Sequence, residues 1–205
     1  MVKDGYVKYR AIHTPAGATE SPLWAQLNEA RTRLHDLGLV GEYPGGPGYG
    51  NVSVRLGEND FLISGTATGE KRVLTINEYS WVSSFDIEKN TVTTKGPVQA
   101  SSESMTHGAV YRAFPGAVSV LHIHSRKIFD GMLRDGYPST PAGAAYGTPE
   151  IALAISDCVA RLGKPSGVIV MAGHDEGVIA WGPGIDKALD LVLELCTKYK
   201  LDAKN

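Results

Sequence analysis

The chain has 205 residues, of which 42% are hydrophobic, and a net charge of −2. That length suits one globular domain over 1–205 with a sizeable core, and the near-neutral balance excludes bulk attraction to nucleic acid or an anionic membrane. No apolar run is long enough to span a bilayer and "MVKDGYVKYR" has no cleavable leader pattern, so a soluble, cytoplasmic protein is expected.

Residues 1–20 show little periodic pattern and read as an N-terminal arm. Pro22 to Leu37 carries Leu23, Leu27, Ala30, Leu34 and Leu37 at helical spacing, with Ser21 as N-cap and Gly38 as stop. The glycine-rich loop "GEYPGGPGYGN" follows. Alternating runs then predict strands over Asn51–Leu56, Asp60–Ser64 and Arg72–Ile76, and two more joined at Glu88-Lys89-Asn90. A helix is expected from Ser101-Ser102 to Phe114, stopped by Pro115-Gly116, then a strand over Ala117–His124 and a loop. Thr148 and Pro149 open a further helix. "SGVIVMAG" and "GVIAWG" are buried strands on either side of "HDEG", and "GIDKALDLVLELCTKYK" is a closing amphipathic helix. Helices alternating with strands and hairpins predict an α/β fold, a three-layer α/β/α sandwich around a mixed, mainly antiparallel sheet. Cys158 and Cys196 are isolated and read as small buried hydrophobes.

The chemistry concentrates at "SVLHIHSRK". His122 and His124 stand two apart on a strand, so both point to one face with Cα atoms about 6.6 Å apart. Two imidazoles so placed can converge on one metal ion. His174, in "MAGHDEG", is the best third ligand; His107, Asp175 and Glu176 are competitors. His13 and His35 read as structural or solvated. Three histidines with an open position describe a catalytic zinc-type site rather than a closed structural one.

Glu103 lies at a helix start, where a carboxylate is favoured by the dipole and could serve either as a capping group or as an acid/base. His107 is one turn on and could orient it. "GYGNVS" offers Gly50, Asn51 and Ser53, and "ISGTATG" offers Ser64, Thr66 and Thr68. With Ser101 and Ser102 at a helix N-terminus, these could form a phosphate cradle without lysine.

In this order, "GNVSVR", "LISGTATG", "SSESMTHGAVYRAFPGAVSVLHIHS" and "MAGHDEGVIAWG" resemble the class II aldolase/adducin family, over about Leu23 to Leu195. The resemblance implies an α/β/α fold, a fourfold-symmetric tetramer with sites between subunits, and a divalent metal, commonly Zn2+. By position it implies His122, His124 and His174 as metal ligands and Glu103 as acid/base. Asn51, Thr66, Ser101 and Ser102 become contacts to a substrate phosphate. The chain departs from the family pattern at Asp175, where glycine is usual, and at Gly48, where threonine is common. The span after His124 is shorter than in fuculose-phosphate aldolases and holds no tyrosine matching their catalytic loop tyrosine; Tyr137 is a possible substitute, and Tyr146 reads as packing at a helix start.

The expected function is a metal-dependent lyase that cleaves a small, phosphorylated ketose by a retro-aldol route through a metal-stabilised enediolate. The expected partner is thus a small-molecule sugar phosphate, with no nucleic acid and no membrane, and the chain is expected as a homo-oligomer. A dehydratase of the methylthioribulose-phosphate type could use the same parts. A non-catalytic adducin-like interaction module is the reading of another class, and a cupin-type oxygenase is disfavoured by the long helices.

Overall fold

The computed structural model describes residues 7–201. The elements in chain order are β1 (Arg10–Pro15), α1 (Trp24–Asp36), β2 (Gly41–Glu42), β3 (Gly48–Tyr49), β4 (Asn51–Arg55), β5 (Phe61–Ser64), β6 (Tyr79–Asp86) and β7 (Thr91–Gly96). They continue with α2 (Ser104–Ala113), β8 (Ser119–His124), α3 (Arg126–Arg134), α4 (Pro149–Leu162), β9 (Gly167–Val170), β10 (Gly177–Gly182) and α5 (Ile185–Lys198). Eight strands form one sheet in the order β1-β7-β6-β5-β4-β8-β10-β9. Only β1 and β7 pair in parallel; the other pairs are antiparallel.

Alternation along β8 sorts the layers. Leu121 and Ile123 pack with Leu27 of α1, Ile128 of α3 and Val192 of α5 in one core. Val120 faces the other way, among Ala109 of α2 and Ile155 of α4. The three-layer α/β/α sandwich with a mixed, mainly antiparallel sheet is therefore observed. No helix among the described residues is long and apolar enough to cross a membrane.

Three expectations are corrected. The first 20 residues are not a featureless arm, because β1 pairs with β7 along its length. Residues 1–6 of that arm, and the chain end from 202, lie outside the described residues. Arg72–Ile76 is not a strand. Two of its carbonyls face α1: buried Arg31 donates to the Arg72 oxygen, as it does to those of Thr68 and Lys71 just before the run, and Asn28 donates to the Leu74 oxygen at 2.8 Å. Carbonyls so occupied cannot join a ladder, and Ile76–Glu78 turns instead as a 3-10 helix behind Thr75.

The third correction is α3, where a loop was expected. Ser125 caps it, its hydroxyl accepting from the Ile128 N–H, and Ile128, Phe129 and Met132 are buried. Gly131 sits mid-helix because a Cβ there would stand 2.5 Å from the Tyr199 ring.

Helix starts shift by a few residues. α1 begins at Trp24, with Leu23 at the cap position and the Ser21 hydroxyl accepting from the Leu23 N–H at 3.2 Å. The two cysteines are free and buried, as expected.

Candidate metal and substrate site

The site forms where the ends of β4, β8 and β10 meet. In register, Asn51 lies opposite His122, and Gly177 opposite His124. The turn before β10 brings in His174. Gly177 makes the approach possible, since a Cβ there would lie 2.9 Å from His174 Cδ2 and 3.1 Å from His122 Cε1.

The three imidazoles converge through their Nε2 atoms. His122 and His124 are 3.0 Å apart, His122 and His174 3.3 Å, and His124 and His174 3.2 Å. Three nitrogens each about 2.0–2.1 Å from one ion at tetrahedral angles would stand about 3.3–3.4 Å apart. The triangle therefore fits a metal ion, and these three residues form a group able to hold one. The protons agree for His122. Its Nδ1 lies 3.2 Å from the Val178 carbonyl, which can only accept, so Nδ1 carries the hydrogen and Nε2 keeps its lone pair.

Burial holds all three rings neutral, the form that binds metal. It depresses His122 to about 4 and takes His124 and His174 well below the usual histidine range.

His107 does not join the group. It is fully buried on α2, with Nδ1 2.7 Å from the Ser53 hydroxyl, which also meets the Tyr111 hydroxyl. The idea that His107 orients Glu103 is thus replaced by a bond to Ser53. Asp175 and Glu176 also stand outside the group; both pair with Arg126.

Glu103 opens α2 with its carboxylate 3% exposed among buried groups. Its Oε1 lies 3.7 Å from His174 Nε2. The side chain makes no capping bond; the Ser101 hydroxyl accepts from the Glu103 N–H at 3.2 Å instead. The carboxylate is turned towards the histidines rather than back onto its helix.

Beside the histidines opens a cavity of about 340 Å³, walled by the loop Gly45–Asn51, the loop Gly65–Gly69, and Ser101 and Ser102. All four residues expected to contact a phosphate line it, and no lysine or arginine is among the described residues that do. The hydroxyls divide sharply. Ser64 accepts from the Val52 N–H, Thr68 donates to the Gly65 carbonyl and Ser53 serves His107, so these three hold the walls together. The N–H groups of Thr66 and Ser101 are also taken, by the Gln99 and Ser64 carbonyls. What Thr66 and Ser101 can still offer is a hydroxyl proton, since Ser101 only accepts from Glu103. Asn51 Oδ1 is buried without a hydrogen-bond partner, and Asn51 lines the same small space as Glu103 and the three histidines.

Tyr146 was expected to pack at a helix start. Its ring instead stacks on His174, with centroids 4.5 Å apart and planes at 21°. Lys8 lies over the same ring at 4.0 Å and donates to the Tyr146 carbonyl, so the arm reaches the edge of the site. Tyr43 was missed altogether. Its hydroxyl lies 3.0 Å from His124 Nδ1, in a loop whose glycines signalled only flexibility.

The profile of the class II aldolase and adducin N-terminal domain family matches residues 26–129, and the chain belongs to that family. No curated protein matches its sequence. Among solved structures, the chain is similar to an L-fuculose-1-phosphate aldolase from Thermus thermophilus, at 22% identity and a TM-score of 0.62, covering 87% of this chain and 91% of that one. A sugar-phosphate aldolase from Thermotoga maritima is similar at 15% identity and a TM-score of 0.62, covering 85% and 90%. The N-terminal class II aldolase domain of a conserved Thermoplasma acidophilum protein is similar at 15% identity and a TM-score of 0.55, covering 90% and 95%. At these identities the likeness concerns the fold.

Proposed function

We propose that this member of the class II aldolase and adducin family is a metal-dependent carbon–carbon lyase that cleaves a small phosphorylated ketose. The observation that carries the reading is the meeting of three neutral imidazole nitrogens, 3.0–3.3 Å apart, with a buried carboxylate 3.7 Å from one of them. An interaction module has no use for three neutral metal-donor nitrogens that converge on one point beside a carboxylate.

His122, His124 and His174 would hold the ion, with Zn2+ the best match to three histidines and an open position. Bound there, the metal supplies Lewis-acid polarisation of the substrate carbonyl. The remaining work falls to the chain. As the carbon–carbon bond breaks, Glu103 takes the proton of the hydroxyl on the departing carbon, which becomes the aldehyde, and returns it to the carbon next to the carbonyl. Asn51 Oδ1 accepts from a substrate hydroxyl. Thr66, Ser101 and Ser102 donate to the phosphate at the head of α2, where the helix dipole favours an anion. The products are dihydroxyacetone phosphate and an aldehyde. The enzyme works as a homo-oligomer, a tetramer by family resemblance, in the cytoplasm.

The phosphate assignment is tested on matched ketoses with and without phosphate. The double variant Ser101→Ala, Ser102→Ala removes two donors, so KM for the phosphorylated ketose should rise about 10-fold or more, following about 1.5–3 kcal/mol for hydrogen bonds to a charged group. KM for the free ketose should stay nearly unchanged. An equal response of both substrates, or a wild type that prefers the free sugar, would move the enzyme to unphosphorylated substrates.

A further inference from the structure

His122 and His124 are oriented by different means. His122 Nδ1 donates to a backbone carbonyl, that of Val178. His124 Nδ1 meets the phenol of Tyr43 at 3.0 Å. The same phenol lies 2.9 Å from Glu176 Oε2. The other carboxylate oxygen, Oε1, is 3.4 Å from Arg126 Nε.

The proton count along this chain has one solution. An ionised carboxylate only accepts, and a phenol has one proton to give. Tyr43 therefore donates to Glu176, and its oxygen accepts from His124 Nδ1–H. His124 is thereby fixed in the tautomer whose Nε2 carries a lone pair, and Nε2 is the atom that faces His122 and His174. A histidine whose outer nitrogen donates to an acceptor backed by a carboxylate is a more basic metal donor.

The backbone supports the relay from both ends. A tight turn presents Tyr43, with Gly46 N–H donating to the Tyr43 carbonyl at 2.9 Å, and its ring packs on Tyr49 at 4.5 Å. Glu176 sits in the turn before β10 with φ 64°, and its carbonyl accepts from the Ser125 N–H. The loop that carries Tyr43 continues into the wall of the substrate cavity.

We propose that Tyr43 and Glu176 are positioning residues that act in series on His124, setting its orientation and its strength as a metal donor. The proposal rests on the metal centre described above. Neither residue is among those that line the cavity; each acts through His124.

The test is Zn2+ affinity, measured on metal-stripped full-length protein by competition with a chromogenic chelator, with the visible spectrum of the Co2+ form as a second readout. Tyr43→Phe keeps the ring and removes the hydroxyl. It should weaken Zn2+ binding by about 10–100-fold, the usual effect of losing an outer-shell partner, and should alter the Co2+ bands. Glu176→Gln retains an oxygen to accept from the phenol but removes the charge, so its loss should be smaller. The double variant should bind no more weakly than Tyr43→Phe alone, because the two residues act in series, the Glu176 carboxylate on the Tyr43 hydroxyl and that hydroxyl on His124. Thermal midpoints of the metal-free variants should stay near that of the wild type. Affinities within about twofold of wild type for both single variants, or losses that add in the double variant, overturn the relay alone. A wild type that takes up no Zn2+ overturns the relay and the metal centre together.

Discussion

Glu103→Gln is expected to keep the fold and the bound metal while lowering kcat by about 10²–10⁴, the usual reach of a positioned acid/base. The substitution preserves shape, and the side chain has no capping bond to lose. Ser101 continues to accept from the N–H at position 103, so the start of α2 is undisturbed. What disappears is the ability to take and return a proton beside the histidines. KM should change little, because the hydroxyls assigned to the phosphate are intact. Unchanged turnover on a verified substrate would remove Glu103 from the chemistry and leave it as the residue at the cap position of α2.

The second large effect concerns the metal. His122→Ala should drop Zn2+ content from about one ion per chain to near zero, a loss beyond the roughly 10–100-fold expected of an outer-shell change. His122 is held in mid-sheet, opposite Asn51 on one side and Ile179 on the other, and its Nε2 is one corner of the triangle with both other histidines. Turnover should fall to background. Metal-stripped wild type should be equally inactive and should recover when Zn2+ is added, whereas the variant should not. Full metal retention by His122→Ala would show that the ion sits elsewhere.

Much of this was legible because it rests on short-range rules. The two-residue repeat of a strand places His122 and His124 on one face, and apolar periodicity marks α1, α2, α4 and α5. What escaped depends on distant partners. β1 carries no alternation because most of it is exposed, and it joins the sheet through its backbone pairing with β7 and one side-chain bond, His13 Nδ1 to the Thr94 hydroxyl at 2.8 Å. The run from Arg72 to Ile76 has a strand pattern, but side chains of α1, 41 and 46 residues earlier, claim two of its carbonyls: Arg31 that of Arg72 and Asn28 that of Leu74. α3 did carry signals, a serine cap and Ile128, Phe129 and Met132 at helical spacing, and Gly131 masked them. That Asn51, Thr66, Ser101 and Ser102 come together in one cavity wall was foreseeable from motif order. Sequence could not say that Ser53, Ser64 and Thr68, equally good candidates by type, have their hydroxyls committed to internal bonds. The role of Tyr43 depends on Glu176, which lies 133 positions away.

The most direct measurement is product identification after Zn2+-loaded protein is incubated with a panel of phosphorylated ketoses. The account predicts dihydroxyacetone phosphate and an aldehyde in equal amounts from at least one of them. Both should vanish on chelation and return with Zn2+. A metal-loaded protein that cleaves none of the panel, or that releases water from the sugar and leaves its carbon chain whole, would contradict the account.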